Sequence, residues 1–230
     1  MLHFAATVFA LAVVPLVTFD SVVPLVTFDS DPATGDRKWN VMNDPVMGGQ
    51  SKSTYQQEGT VGHFAGLCAI VPFLHAPGFC KIETSNGLFD KPKFADASAF
   101  INGNLYIEAR STTASYAGYK VAFSAKNTTR PRPGMHHAAP SFKADFMVPA
   151  GTAFSTIKVP FSNFSVDWSE YTGECDTKDP TGEQHICCSA AHPEVCPKSH
   201  HLSALTGFQI WAEGKEGNFD IELKSISAGP

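Results

Sequence analysis

An all-β sandwich is the fold class this sequence predicts, on three observations. Apolar residues recur at every second position in run after run. Gly, Pro, Asn and Ser punctuate the runs, and no long segment of 3.6-residue period competes with them. The first strand is expected over 25–28, and Trp39 and Val41 alternate with Asn40 as on a half-buried strand. Leu105, Ile107 and Ala109 follow, then Tyr119, Val121 and Phe123. Phe142, Ala144, Phe146 and Val148 make the next run, and Ile157, Val159 and Phe161 another. Phe208, Ile210 and Ala212, with Phe219, Ile221 and Leu223, close the set. Each run buries one face and leaves the other polar, the pattern of two packed sheets. A short helix near 88–97 is limited by Pro92.

The chain has 230 residues, 43% of them hydrophobic, enough for one large β domain. A single domain is expected over 22–230, preceded by a signal-peptide-like segment over 1–21. Residues 4–17 are apolar except for Thr7, too short a stretch for a transmembrane helix and right for a signal core. It is neither Arg-rich nor amphipathic, so a mitochondrial presequence is disfavoured. The expected location is the secretory pathway, outside the cell or in a lumen reached through it, without stable membrane insertion. Val13-Val-Pro-Leu-Val-Thr-Phe-Asp-Ser21 recurs unchanged from Val22 to Ser30, two copies being too few for a solenoid. Asn127-Thr-Thr129 and Asn163-Phe-Ser165 are glycosylation sequons. A net charge of −5 argues against nucleic acid as a partner.

Trp39-Asn-Val-Met-Asn-Asp-Pro-Val-Met-Gly-Gly-Gln-Ser51 is the most specific segment. Asn43-Asp44-Pro45 initiates a turn, and Gly48-Gly49 permits positive φ or close backbone approach. Asp44 alone falls far short of the roughly 6–8 oxygens a calcium ion takes. The segment resembles the opening signature of the complex I intermediate-associated protein 30 family. Further similar blocks are Phe64-Ala-Gly66 with Gly78-Phe79, Leu105 to Arg110, Phe154 to Phe164, Leu205 to Ile210 and Gly217 to Leu223. The resemblance covers about 39–227. It implies a galactose-binding-like jelly roll related to carbohydrate-binding modules, working by binding and assembly. No catalytic residues carry over from it.

The cysteines are Cys68, Cys80, Cys175, Cys187, Cys188 and Cys196. An even count behind a signal-like segment implies three disulfides. Cys68 and Cys80 flank 72–77 in what reads as a β-hairpin, equidistant from Leu74, and are expected to pair. Cys187 and Cys188 are adjacent and are expected to pair with Cys175 and Cys196, in either arrangement, stapling a Cys/His-rich insertion over 165–201. Zinc on the Cys and His of that insertion is the alternative, but the spacing does not match structural zinc sites. His136-His137 and His200-His201 read as solvated loop residues.

No nucleophile elbow, metalloprotease helix, phosphate loop or dinucleotide fingerprint appears, so no cofactor or metal is called and no catalysis is expected. Asp167, Glu170, Glu174, Asp176 and Asp179 form a carboxylate-rich stretch that a hydrolase would need to converge. The expected function is non-catalytic: an assembly or chaperone-like factor binding a protein partner, such as subunits of a membrane or redox complex. The alternative is a secreted carbohydrate-binding module, with Tyr106, Tyr116, Tyr119 and Trp211 stacking on sugar rings. Candidate binding residues are thus Asn43, Asp44, Gly48, Gly49, Tyr106, Tyr119 and Trp211.

Overall fold

The computed structural model describes residues 22–230 except 30, 32, 36, 45–47, 75–77, 85–92, 114–115, 132–138 and 150. The signal-like segment, the first repeat copy, His136-His137 and most of the helix considered near 88–97 lie outside the described residues.

Two antiparallel sheets face each other. The strands are β1 (Val23–Thr27), β2 (Trp39–Asn43), β3 (Lys52–Glu58), β4 (Val61–Cys68), β5 (Phe79–Thr84) and β6 (Asn104–Ser111). They continue with β7 (Tyr119–Ala125), β8 (Phe142–Asp145), β9 (Gly151–Pro160), β10 (Leu205–Glu213) and β11 (Gly217–Gly229). One sheet runs β3-β4-β11-β6-β9, and the other β2-β5-β10-β7-β8. In the first sheet β11 spans the whole height. Its N-terminal half pairs β4, and its C-terminal half pairs β1 on the same side. A register shift between Leu223 and Ser225 separates the two halves on the β6 side. This double-layered arrangement with long crossovers is a jelly-roll sandwich.

The period-two runs meet between the sheets, as the alternation requires. Phe123 packs on Phe142, Phe164 and Phe208 at centroid distances of 5.2, 5.1 and 6.4 Å. Phe219 packs on Phe64 at 4.8 Å and edge-on to Tyr119 at 6.4 Å. β8 ends at Asp145, yet Phe146 and Val148 stay buried, so the run keeps its packing after it leaves the ladder.

The β-hairpin inferred between Cys68 and Cys80 does not form. Cys68 ends β4 in one sheet and Cys80 lies in β5 of the other, so the chain crosses the sandwich between them. Symmetry about Leu74 says nothing of which sheet the returning strand joins. Both cysteines are buried free thiols, which corrects the third disulfide. Each thiol donates instead to a carbonyl: Cys68 to Gly78 at 3.0 Å and Cys80 to Leu67 at 3.6 Å. Burial pushes the Cys80 thiol up to about 12 and raises that of Cys68, so neither is a ready thiolate.

This predicts that alkylation of the unreduced, denatured chain labels Cys68 and Cys80 and no other cysteine, while the native protein resists labelling. Mass spectrometry showing no labelled cysteine after denaturation would contradict the assignment.

Candidate functional site: a covered sheet face

The outer face of the five-stranded sheet is built from the polar positions of the alternating runs. Strand register places Met42, Lys81, Trp211, Lys120 and Asp145 in one row across β2, β5, β10, β7 and β8. The next row holds Asn40, Glu83, Gln209, Ala122 and Lys143. Such a face would ordinarily meet solvent. Here Lys81, Lys120, Lys143, Trp211 and Glu213 are all buried.

The insertion buries them. After Phe161–Asn163 the chain bridges onto the sheet, with Lys143 and Ser165 exchanging backbone hydrogen bonds of 2.9 and 3.1 Å. Trp168 follows, fixed by its indole N–H donating to Ser141 O at 2.9 Å. It meets Trp211 edge-on at 6.2 Å. The Lys143 ammonium lies between them, 3.6 Å from the Trp168 ring centre and 3.8 Å from that of Trp211. Its counter-charge is Glu213, at 2.7 Å and equally buried. Gly173 (φ +72°) passes so close that a Cβ there would stand 2.5 Å from the Glu213 carboxyl, so only glycine fits. Glu174 then reaches Lys120 at 2.7 Å. Burial opposes the Lys120 charge, yet Asp145 and Glu174 together hold its pKa above the ordinary lysine value.

Two disulfides shape the covering segment, Cys175–Cys187 and Cys188–Cys196. Each adjacent cysteine therefore takes its own near partner. Within the loop that Cys175–Cys187 closes, His185 is buried with Asp167 Oδ1 on Nδ1 and Asp179 Oδ2 on Nε2, both at 2.9 Å. Ser169 donates to Asp179 as well. His201 departs from the solvated-loop reading. It is buried, its ring centroid 4.8 Å from that of Phe142, and its Nδ1 accepts from Lys198 N at 3.0 Å. Burial, with His200 and Lys198 nearby, pushes it down to about 4.

The opening motif is a clamp at the end of β2. Asp44 accepts from the Ser51 amide at 3.0 Å and the Ser51 hydroxyl at 3.1 Å, closing the loop on itself. Burial raises the Asp44 carboxyl, and the bonds from Ser51 oppose that. Gly49 lies against this carboxylate, where a Cβ would come within 2.6 Å of its carbon, and Gly48 holds φ +106°. Asn43 accepts from Ser53 at 2.5 Å, tying β2 to β3 across the sandwich edge.

The aromatic candidates do not converge. Tyr119 points into the core, as its own alternation with Val121 and Phe123 signalled, and Tyr116 packs beside it at 5.0 Å. Tyr106 lies on the outer side of the other sheet, its hydroxyl donating to Pro230 O. Trp211 faces outward but is covered. Among the carboxylates, Glu170 pairs with Arg130 and Glu174 with Lys120, while Asp167 and Asp179 converge on His185. Both sequon asparagines, Asn127 and Asn163, are exposed. The buried lysines were the feature sequence reading missed. Their burial comes from segments distant in the chain, Trp168 in the insertion and Trp211 with Glu213 on β10 for Lys143, which the local alternation does not reveal.

Burial pushes the Lys143 ammonium down to about 8. A lysine in the unfolded chain releases its proton near ~10.4. Between these values the unfolded state holds more protons, so this group makes stability rise with pH. Urea unfolding from about pH 8 to pH 10 should show that rise, and Lys143→Met should flatten it. An unchanged profile in the variant would contradict the burial.

The sequence profile of the complex I intermediate-associated protein 30 family matches residues 26–179, against the 39–227 expected from the motif blocks. The match ends inside the insertion, before β10 and β11. Among curated proteins none matches the chain. Among solved structures, the family 11 carbohydrate-binding module of the cellulase Lic26A-Cel5E of Clostridium thermocellum is similar at 16% identity. That alignment covers 91% of this chain and 97% of the module, with a TM-score of 0.47. PfGH50B is similar at 16% identity over 91% of this chain and 23% of its own, TM-score 0.45. An exo-beta-agarase is similar at 10% identity over 90% and 25%, TM-score 0.43. The chain thus spans about a quarter of the length of those two proteins. With the profile running from β1 through the Asp44 clamp and into the insertion, over half of the chain's residues, the chain belongs to the complex I intermediate-associated protein 30 family.

Proposed function

We propose that this chain is a non-catalytic protein-binding module, one domain over 22–230, that holds an extended segment of a partner along β2. The observation that carries this is an apolar edge beside the family's signature. β2 pairs β5 on one side and no described strand on the other. Val41 and Met42 on it are 41% and 42% exposed. Phe73, 72% exposed, sits over Gly48, with its ring tip 3.7 Å from where a Cβ would stand. Gly49 in turn packs on the Asp44 clamp that follows β2. An unpaired edge supplies backbone donors and acceptors, and apolar side chains beside it supply affinity, which is how strand addition works. The clamp preorganises that edge, so little ordering cost remains on binding.

The family's name points to assembly of complex I, and a redox-complex subunit is the partner class this reading favours. Two disulfides support an oxidising compartment reached through the secretory pathway. No described helix is long and apolar enough to cross a membrane. The covered outer face and the scattered aromatics weigh against a sugar-stacking cleft.

Cross-linked affinity purification from the native host, with wild type and a Met42→Lys/Phe73→Ser variant in parallel, tests the reading. Stoichiometric partners held by wild type and reduced at least tenfold in the equally stable variant are expected. Partners recovered equally by both proteins, or a glycan bound by the wild type with no protein partner, would overturn it.

A further inference from the structure

A hairpin within the insertion carries a donor set that the binding edge does not use. His185 N donates to Thr177 O, Asp179 N to Glu183 O and Gly182 N to Asp179 O, each at 2.8 Å. This tight turn brings Asp179, Glu183 and His185 together. Each offers one ligand atom, and the atoms lie within 4.8 Å of one another. The Cys175–Cys187 disulfide closes the base of the same hairpin, so the donors are held before anything binds.

The second observation lies outside the three donors. Asp167 sits on the far nitrogen of His185, with Oδ1 2.9 Å from Nδ1, and its own Oδ2 is fixed by the Ile186 amide at 3.0 Å. A histidine that binds metal through one nitrogen almost always gives its other N–H to a carboxylate or carbonyl, which sets the tautomer and raises ligand basicity. On the other side of the ring Nε2 stands 2.9 Å from Asp179 Oδ2, so this nitrogen and one carboxylate oxygen are already side by side, as two ligands of one ion would be. Asp167, Asp179 and His185 are each more than nine-tenths buried.

The geometry points to a divalent transition-metal site of the zinc class, with Asp179, Glu183 and His185 as ligands and Asp167 as the positioning residue. The donor set decides the class. Imidazole with two carboxylates suits zinc and its first-row neighbours, whereas calcium and magnesium take oxygen donors. The cysteines of the insertion contribute nothing, because all four are in disulfides. This site is independent of the β2 edge and stands or falls without it.

Calorimetric titration of the full chain, stripped with chelator, tests the site with zinc chloride and, in parallel, calcium chloride. One zinc per chain and no saturable calcium binding are expected. Glu183→Gln, at a partly exposed position, should weaken zinc at least tenfold with unchanged near-ultraviolet circular dichroism. Asp167→Asn should weaken it about 10–100-fold. No saturable zinc binding would leave His185 as no more than a hydrogen-bonded bridge between Asp167 and Asp179 and overturn the proposal. Wild-type affinity in Glu183→Gln would place the zinc elsewhere, for example on His192 or His200, and overturn it equally.

Discussion

The ammonium of Lys143, held between two indole faces and one carboxylate, ties the insertion to the sandwich. From its place on β8 it meets partners from two separate parts of the chain: Trp211 and Glu213 on β10, and Trp168 on the insertion. A buried ion pair of this kind adds little net stability over an apolar pair of the same shape, because desolvation consumes most of the attraction. What it supplies is specificity. Removing Glu213 would leave a buried charge uncompensated, and removing either indole would strip the ammonium of a face that holds it, so the covering segment has one place to sit. The cation–π contacts, at 3.6 and 3.8 Å, fix its orientation as well as its position.

The rest of the insertion follows from that anchor. It has little regular structure and few apolar residues, and it cannot hold itself together by burial alone. Two short-range disulfides restrict its unfolded forms, each worth about 2–4 kcal/mol. The buried Asp167–His185–Asp179 chain then satisfies its internal polar groups. One face of the domain is thereby closed by the protein's own chain, and the interaction surface proposed above lies instead at the sheet edge beside the Asp44 clamp.

The sandwich was legible because alternation is a local signal. Phe208, Ile210 and Ala212, or Tyr119, Val121 and Phe123, need no knowledge of their partners to declare which face is buried. The same signal already argued against Tyr119 as a ligand residue. Sheet membership was not legible: the apolar spacing around Cys68 and Cys80 is equally consistent with a hairpin and with a crossover. Nor was the fate of Lys120 and Lys143, whose polar positions read as solvent-facing by the same alternation. Their burial depends on Trp168, Gly173 and Glu174, in a segment without period, meeting them from outside the sheet. The clamp was half legible, since Asp44 and the Gly pair announced a turn but not that Gly49 exists to admit the Asp44 carboxylate.

The insertion stays closed over the outer face, and tryptophan fluorescence reads that closure directly. Of the three tryptophans, Trp39 lies on β2, while Trp168 and Trp211 form the covered pair. In a Trp39→Phe variant, acrylamide quenching reports that pair alone. A blue-shifted emission barely quenched in the native state, becoming fully quenchable only on unfolding, is the predicted result. Red-shifted emission quenched as readily in the native protein as in the unfolded chain would mean that the face is open, and would contradict the account.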